Sequence, residues 1–191
     1  MKAGSGEHFE QSYNAQATVE VEDRLIVGQR VSQAPNDKQE LVATFSAIVP
    51  EAGAVGQALV DSGFVSEEAV GQIETGPHGE PSGVKVLAAM KRAKHGRTVS
   101  DLEKKEDPAP PAADAPFVER MIYRVATKAG RQRYKLRQQT VEPVFGIIKE
   151  ALGFRRFSLR GLSEVSLEWT LVSLSYNLKR LFTLGAQLKA A

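Results

Sequence analysis

Cysteine is absent from the 191 residues, which excludes disulfides and thiolate zinc sites together. Histidine is scarce as well: His8, His78 and His95 lie far apart, beside glycine or in polar stretches, and each reads as a surface side chain and not a ligand. No apolar run approaches the ~20 residues that a membrane-spanning helix needs, and no signal-peptide pattern is present. A reducing cytoplasm is therefore the expected compartment, and no membrane partner is expected. Charge of one sign is also lacking overall. The formal net charge is only +2, so global electrostatics single out no partner.

What is present is a chain with 42% hydrophobic residues, long enough for one domain-sized core and too short for two large ones. Its charge is unevenly placed. Between Phe117 and Arg160 stand Arg120, Arg124, Lys128, Arg131, Arg133, Lys135, Arg137, Lys149, Arg155, Arg156 and Arg160, against only Glu119, Glu142 and Glu150. Such a local excess suits a polyanion, because each neutralised phosphate releases condensed counterions. It equally suits a solvated helix face, and charge alone leaves both readings open.

The pattern of apolar residues divides the chain into an α/β region over 1–92, a polar and proline-rich linker over 93–116, and a helical part over 117–191. Alternation through Ala15, Ala17, Val19 and Val21, then Leu25, Val27 and Val31, predicts an antiparallel hairpin turning at Glu22–Asp23. From Asn36 as N-cap, Leu41, Val42, Phe45 and Ile48 have helical spacing. Ala58 to Asp61 reads as a short strand ending on a carboxylate, Ser66 opens a helix through Ile73, and Val84 to Ala89 reads as another strand. Four prolines between Asp107 and Pro116 predict an extended connector. In the final segment, Leu159 to Leu188, one stripe holds Leu162, Val165, Trp169, Val172 and Tyr176, and another Leu167, Leu171, Leu174, Leu178 and Leu181. Apolar on two faces, this helix is expected to be largely buried.

Two carboxylates stand out. Asp61 ends a strand before Ser62 and Gly63, where it can cap a turn or meet a ligand. Glu142 precedes Pro143, and with Thr140 as N-cap it falls in the first turn of a helix, as a capping carboxylate or as a functional acid. Lys149 follows seven residues later, about 700° of rotation on a uniform helix, and so shares the face of Glu142. Cleavage of a phosphodiester by two divalent cations needs several bridging carboxylates, and spacing alone does not assemble them.

Tyr134, Arg137, Glu142 and Lys149 resemble the tyrosine, arginine, glutamate and lysine signature of the DDE transposases of bacterial insertion sequences. The string from Thr140 to Lys149, then Gly153 to Phe157, Leu159 to Leu162 and Tyr176 to Leu181, is similar to the C-terminal part of that family. Tyr13 to Gln16, Leu25 to Val27, Ala34 to Asp37 and Val60 to Phe64 match upstream, in order.

The resemblance implies a ribonuclease-H-like α/β fold, DNA as partner, localisation at the nucleoid, and metal-dependent strand cleavage and transfer. It further implies that Asp61 and Glu142 bind Mg²⁺ (or Mn²⁺) in a two-metal site, and that Tyr134, Arg137, Lys149, Arg155 and Arg156 engage DNA. Two departures stand against it. Four residues separate Arg137 from Glu142, where three are usual. The family's first aspartate precedes the Tyr13–Gln16 hairpin, whereas no aspartate here precedes Asp23. The expectation is thus a C-terminal portion beginning at an internal methionine, with its sheet incomplete and its strand-transfer activity lost. The alternative is a non-catalytic DNA-binding or dimerising fragment, a homodimer or a partner of intact transposase.

Overall fold

A computed structural model describes residues 13–34, 37–76, 79–90, 106–112 and 114–185. His8, Asn36, His78 and His95 lie outside them, as does most of the polar stretch before the proline-rich connector. Helices and short strands are mixed. The strands form two separate pairs, an antiparallel one and a parallel one. The chain divides into two compact units, one made of Met1–Gly53 with Gln138–Ala191, the other of Ala54–Arg137.

The first unit opens with the expected hairpin. Strand β1 (Asn14–Val19) pairs with β2 (Ile26–Ser32), Asn14 opposite Ser32, with a bulge between Thr18 and Val19. Its turn is closed by Glu20, whose carboxylate accepts the backbone N–H groups of Glu22 and Asp23. Helix α1 (Leu41–Ser46) follows a 3₁₀ turn at Asp37–Gln39 and is shorter than its apolar spacing suggests.

The second unit is a strand, helix, strand arrangement extended by a further helix. Strand β3 (Gln57–Val60) leads through α2 (Glu67–Glu74) to β4 (Lys85–Ala88), which pairs with it in parallel. Ser66 caps α2 as its position predicts, accepting the Ala69 N–H at 3.2 Å. Val70, Ile73, Val86, Leu87 and Met121 are buried, the last from α3 (Phe117–Ala126). Arg124 grips Glu74 with two hydrogen bonds, at 2.5 and 2.9 Å, and reaches the Val86 carbonyl at 3.2 Å. The same Glu74 accepts the Val86 N–H at 2.9 Å, so one carboxylate ties α2, α3 and β4.

Helix α4 (Lys128–Gly146) corrects the helix start expected at Thr140. Thr127 supplies the cap, its hydroxyl accepting the Gly130 N–H at 3.0 Å. Gly130 has no room for a side chain, since a Cβ there would lie 1.8 Å from the Arg124 carbonyl oxygen. Thr140 is buried in the helix interior, and Pro143 lies within the helix, where it removes one backbone donor.

The winding then widens to a π turn at Ile147–Ala151, closed by the Leu152 N–H on the Ile147 carbonyl at 3.0 Å. The uniform rotation that set Lys149 on the face of Glu142 is not kept through this turn.

Helix α5 (Leu162–Thr183) completes the first unit. Val165, Trp169 and Tyr176 pack with Ile26, Val31, Val144 and Ile148 as its core. Polar ties fix the helix to the hairpin. The Asn177 side chain bonds both backbone groups of Ile26 at 2.8 Å, and Tyr176 donates to the Arg24 carbonyl at 2.9 Å. Burial raises the Tyr176 phenol above its ordinary pKa, against the opposing pull of Arg180 and Arg24.

The expected burial of both stripes of α5 is not found. Leu167, Leu171, Leu174 and Leu178 are between 50% and 63% exposed, because the hairpin covers only the opposite face.

Candidate nucleic-acid interface

In the first unit, the end of α4, the π turn, the loop after it and α5 meet β1 around a cleft of about 790 Å³. Aromatic rings line its floor. Trp169 stacks on Phe145 at 5.9 Å between centroids, and Phe154 lies 6.2 Å from Trp169 and 5.3 Å, edge-on, from Phe157. Phe157 in turn meets the edge of Tyr13 at 6.1 Å.

The rings are held by polar bonds at their rims. Trp169 Nε1 donates to the Gln16 carbonyl at 2.9 Å, and the Tyr13 hydroxyl accepts the Gly161 N–H at 2.9 Å. Gly161 has φ +95°, a conformation that L side chains rarely adopt.

Lys149, Arg155, Arg156 and Arg160 line the cleft as well, all exposed. Arg155 is paired with Glu150 at 2.6 Å. Lys149, Arg156 and Arg160 have no counter-ion among the described residues. The loop that carries them is fastened by Glu168, whose carboxylate accepts the N–H groups of Ser158 and Leu159 at 2.9 to 3.0 Å. Against the upward push of desolvation, those backbone donors hold the Glu168 carboxyl below its usual range.

Unpaired cations along the cleft suit a nucleic-acid strand, whose phosphates they can track, while the rings beneath them pack on the core and shape the floor. Of this set, the sequence reading had singled out Lys149, Arg155 and Arg156. Arg160 stands in the same basic run, and Tyr13 and Trp169 join them only through the fold. The alternation Phe154, Arg155, Arg156, Phe157 was the local signal that could have found the aromatic part.

The second unit brings three other predicted residues together. Asp61 caps the 3₁₀ turn Ser62–Phe64, its Oδ1 accepting the Ser62 N–H at 2.7 Å. Arg137 Nη1 lies 3.5 Å from Asp61 Oδ2, and its guanidinium sits 5.8 Å from the Tyr134 ring centre. Tyr134 donates to the Val60 carbonyl at 3.1 Å, one residue before Asp61. Tyr134 and Arg137 therefore both hold the end of the strand that carries Asp61. Arg137 Nε is buried with no partner among the described residues.

Glu142 is exposed on α4 and makes no ion pair or hydrogen bond among the described residues. No three histidine, aspartate or glutamate side chains gather as a metal site among those residues. No described helix is long and apolar enough to cross a membrane.

Residues 112–182 match the family model of the transposase DDE domain. The matched stretch takes in Tyr134, Arg137, Glu142, Lys149, Arg155 and Arg156, together with the whole loop that forms the cleft, and leaves Asp61 outside. No curated protein and no solved structure matches the chain. Over residues 112–182 the chain is similar to the transposase DDE domain, which supports its resemblance to the bacterial insertion-sequence transposases.

Proposed function

We propose that this chain serves DNA transposition and that its first unit holds the DNA backbone through Lys149, Arg155, Arg156 and Arg160. The observation that carries the reading is the set of three cations without counter-ions, Lys149, Arg156 and Arg160, over an aromatic floor within the matched segment. Counterion release would supply affinity that is independent of sequence and falls steeply with salt. Phosphate contacts of this kind position DNA without reading bases.

The family resemblance assigns Asp61 and Glu142 to divalent metal, Mg²⁺ or Mn²⁺, for strand cleavage and transfer. The described residues do not fit a complete two-metal centre. Such a centre needs several carboxylates on ions about 3.5–4 Å apart, whereas no three ligating side chains gather and Asp61 is already engaged by Ser62 and Arg137. That misfit favours a second reading, in which the chain binds DNA without cutting it and modulates an intact transposase.

Binding of a fluorescent duplex by anisotropy across a salt series tests the first claim, and incubation of the same duplex with Mg²⁺ separates the two readings. Binding that does not weaken with salt sinks the proposal. Metal-dependent cleavage, lost in Asp61→Ala, removes the second reading.

A further inference from the structure

Helix α5 offers a surface that the DNA-holding role does not use. Leu167, Leu171, Leu174 and Leu178 are 63%, 63%, 52% and 50% exposed. Their spacing of four, three and four residues is the alternation of a coiled-coil seam. At 3.6 residues per turn they form one narrow row, opposite the row of Val165, Trp169 and Tyr176 that packs on the hairpin. Phe182, 87% exposed, extends the row at its C-terminal end.

We infer that this row is a homodimer interface in which α5 pairs antiparallel with α5 of a second copy, about a two-fold axis between Leu171 and Leu174. Charge along the helix sets the partner and the direction. Glu164 lies at the N-terminal end and Lys179 near the C-terminal end, both exposed and without an ion pair among the described residues. Antiparallel pairing places each Glu164 alongside the partner's Lys179, whereas parallel pairing would set like charges together.

Thr170 and Ser175 flank the middle of the row, and the nearby Glu168 carboxylate is held by the Ser158 and Leu159 N–H groups. The five apolar side chains from each copy would together bury on the order of 1,000 Å², about where specific interfaces begin. The contact is isologous, so it closes on itself as a dimer.

The test uses the full chain in analytical ultracentrifugation over a concentration series. A dimer is expected at tens of micromolar, with dissociation at least tenfold easier in Leu171→Glu, whose exposed position leaves the fold intact by circular dichroism. Lys179→Glu should weaken the dimer and Glu164→Lys added to it should restore it, a rescue that a merely greasy surface would not give.

Because the chain has no cysteine, direction can be read by crosslinking. Leu171→Cys mixed with Leu174→Cys should form the mixed disulfide in preference to either variant alone. A folded monomer at these concentrations, a dimer indifferent to Leu171→Glu, or preferred crosslinking of each variant with itself would overturn the inference.

Discussion

Arg137 Nη1 stands 3.5 Å from Asp61 Oδ2, while Tyr134, three residues earlier on the same helix, bonds the carbonyl of Val60. One helical turn thus fastens the strand end from two sides. The Asp61 side chain is 55% exposed, so solvent screens the pair and its coupling should be under about 1 kcal/mol. A double-mutant cycle of Arg137→Gln and Asp61→Asn in urea unfolding checks this, and a coupling of several kcal/mol would contradict it. Tyr134→Phe, which deletes one hydrogen bond, should cost roughly 1 kcal/mol.

The cleft cations should act as phosphate contacts. Lys149→Gln, Arg156→Gln and Arg160→Gln are each expected to lower the slope of log affinity against log salt by about 1, evenly across DNA sequences. Arg155→Gln should lower it less, because Arg155 is partly neutralised by Glu150. Anisotropy titrations with two unrelated duplexes measure both effects.

Trp169 anchors the aromatic floor and is only 2% exposed. Trp169→Ala should cost about 3–5 kcal/mol through cavity formation. Trp169→Phe retains much of the packing but leaves the buried Gln16 carbonyl without its donor, a loss of about 1–3 kcal/mol. Chemical denaturation of the two variants ranks them.

Glu168 gives a pH signature. Its folded-state pKa is depressed, so its contribution is present above the unfolded-state carboxylate range and is lost as pH falls through the lower folded value. Glu168→Gln should therefore be less stable than the parent at neutral pH, with the gap closing below about pH 4. A difference that persists unchanged in acid would mean that the backbone bonds at Ser158 and Leu159 do not depend on its charge.

Local features were readable in the sequence. Alternation along Ala15 to Val31 yields the hairpin, and Ser66 three residues before Ala69 yields the α2 cap, because each depends on neighbours within a few residues. The basic run contains Lys149, Arg155, Arg156 and Arg160, which line the cleft. What was not readable depends on tertiary partners. Nothing near Arg137 in the chain announces Asp61, and nothing near Trp169 announces Tyr13 or Gln16.

Helical starts failed for a related reason. The sequence offered Thr140 as the cap, whereas the Thr127 hydroxyl, accepting the Gly130 N–H, caps the helix in a turn so close that Gly130 has no room for a Cβ. Two apolar stripes on α5 say that two faces avoid water, but periodicity does not say what covers each.

The ties between α5 and the hairpin join residues about 150 positions apart, such as Ile26 with Asn177 and Gln16 with Trp169, across a separate compact unit at Ala54–Arg137. On the ribosome, β1 and β2 emerge long before the helix that buries Ile26 and Val31. Until that helix is made, the two strands can be no more than a marginal hairpin with an apolar face open to water. Synthesis order therefore makes the second unit the first that can complete its own core, while the first unit waits on a helix translated long after its hairpin. Its assembly should be the slow, loop-closing step of folding.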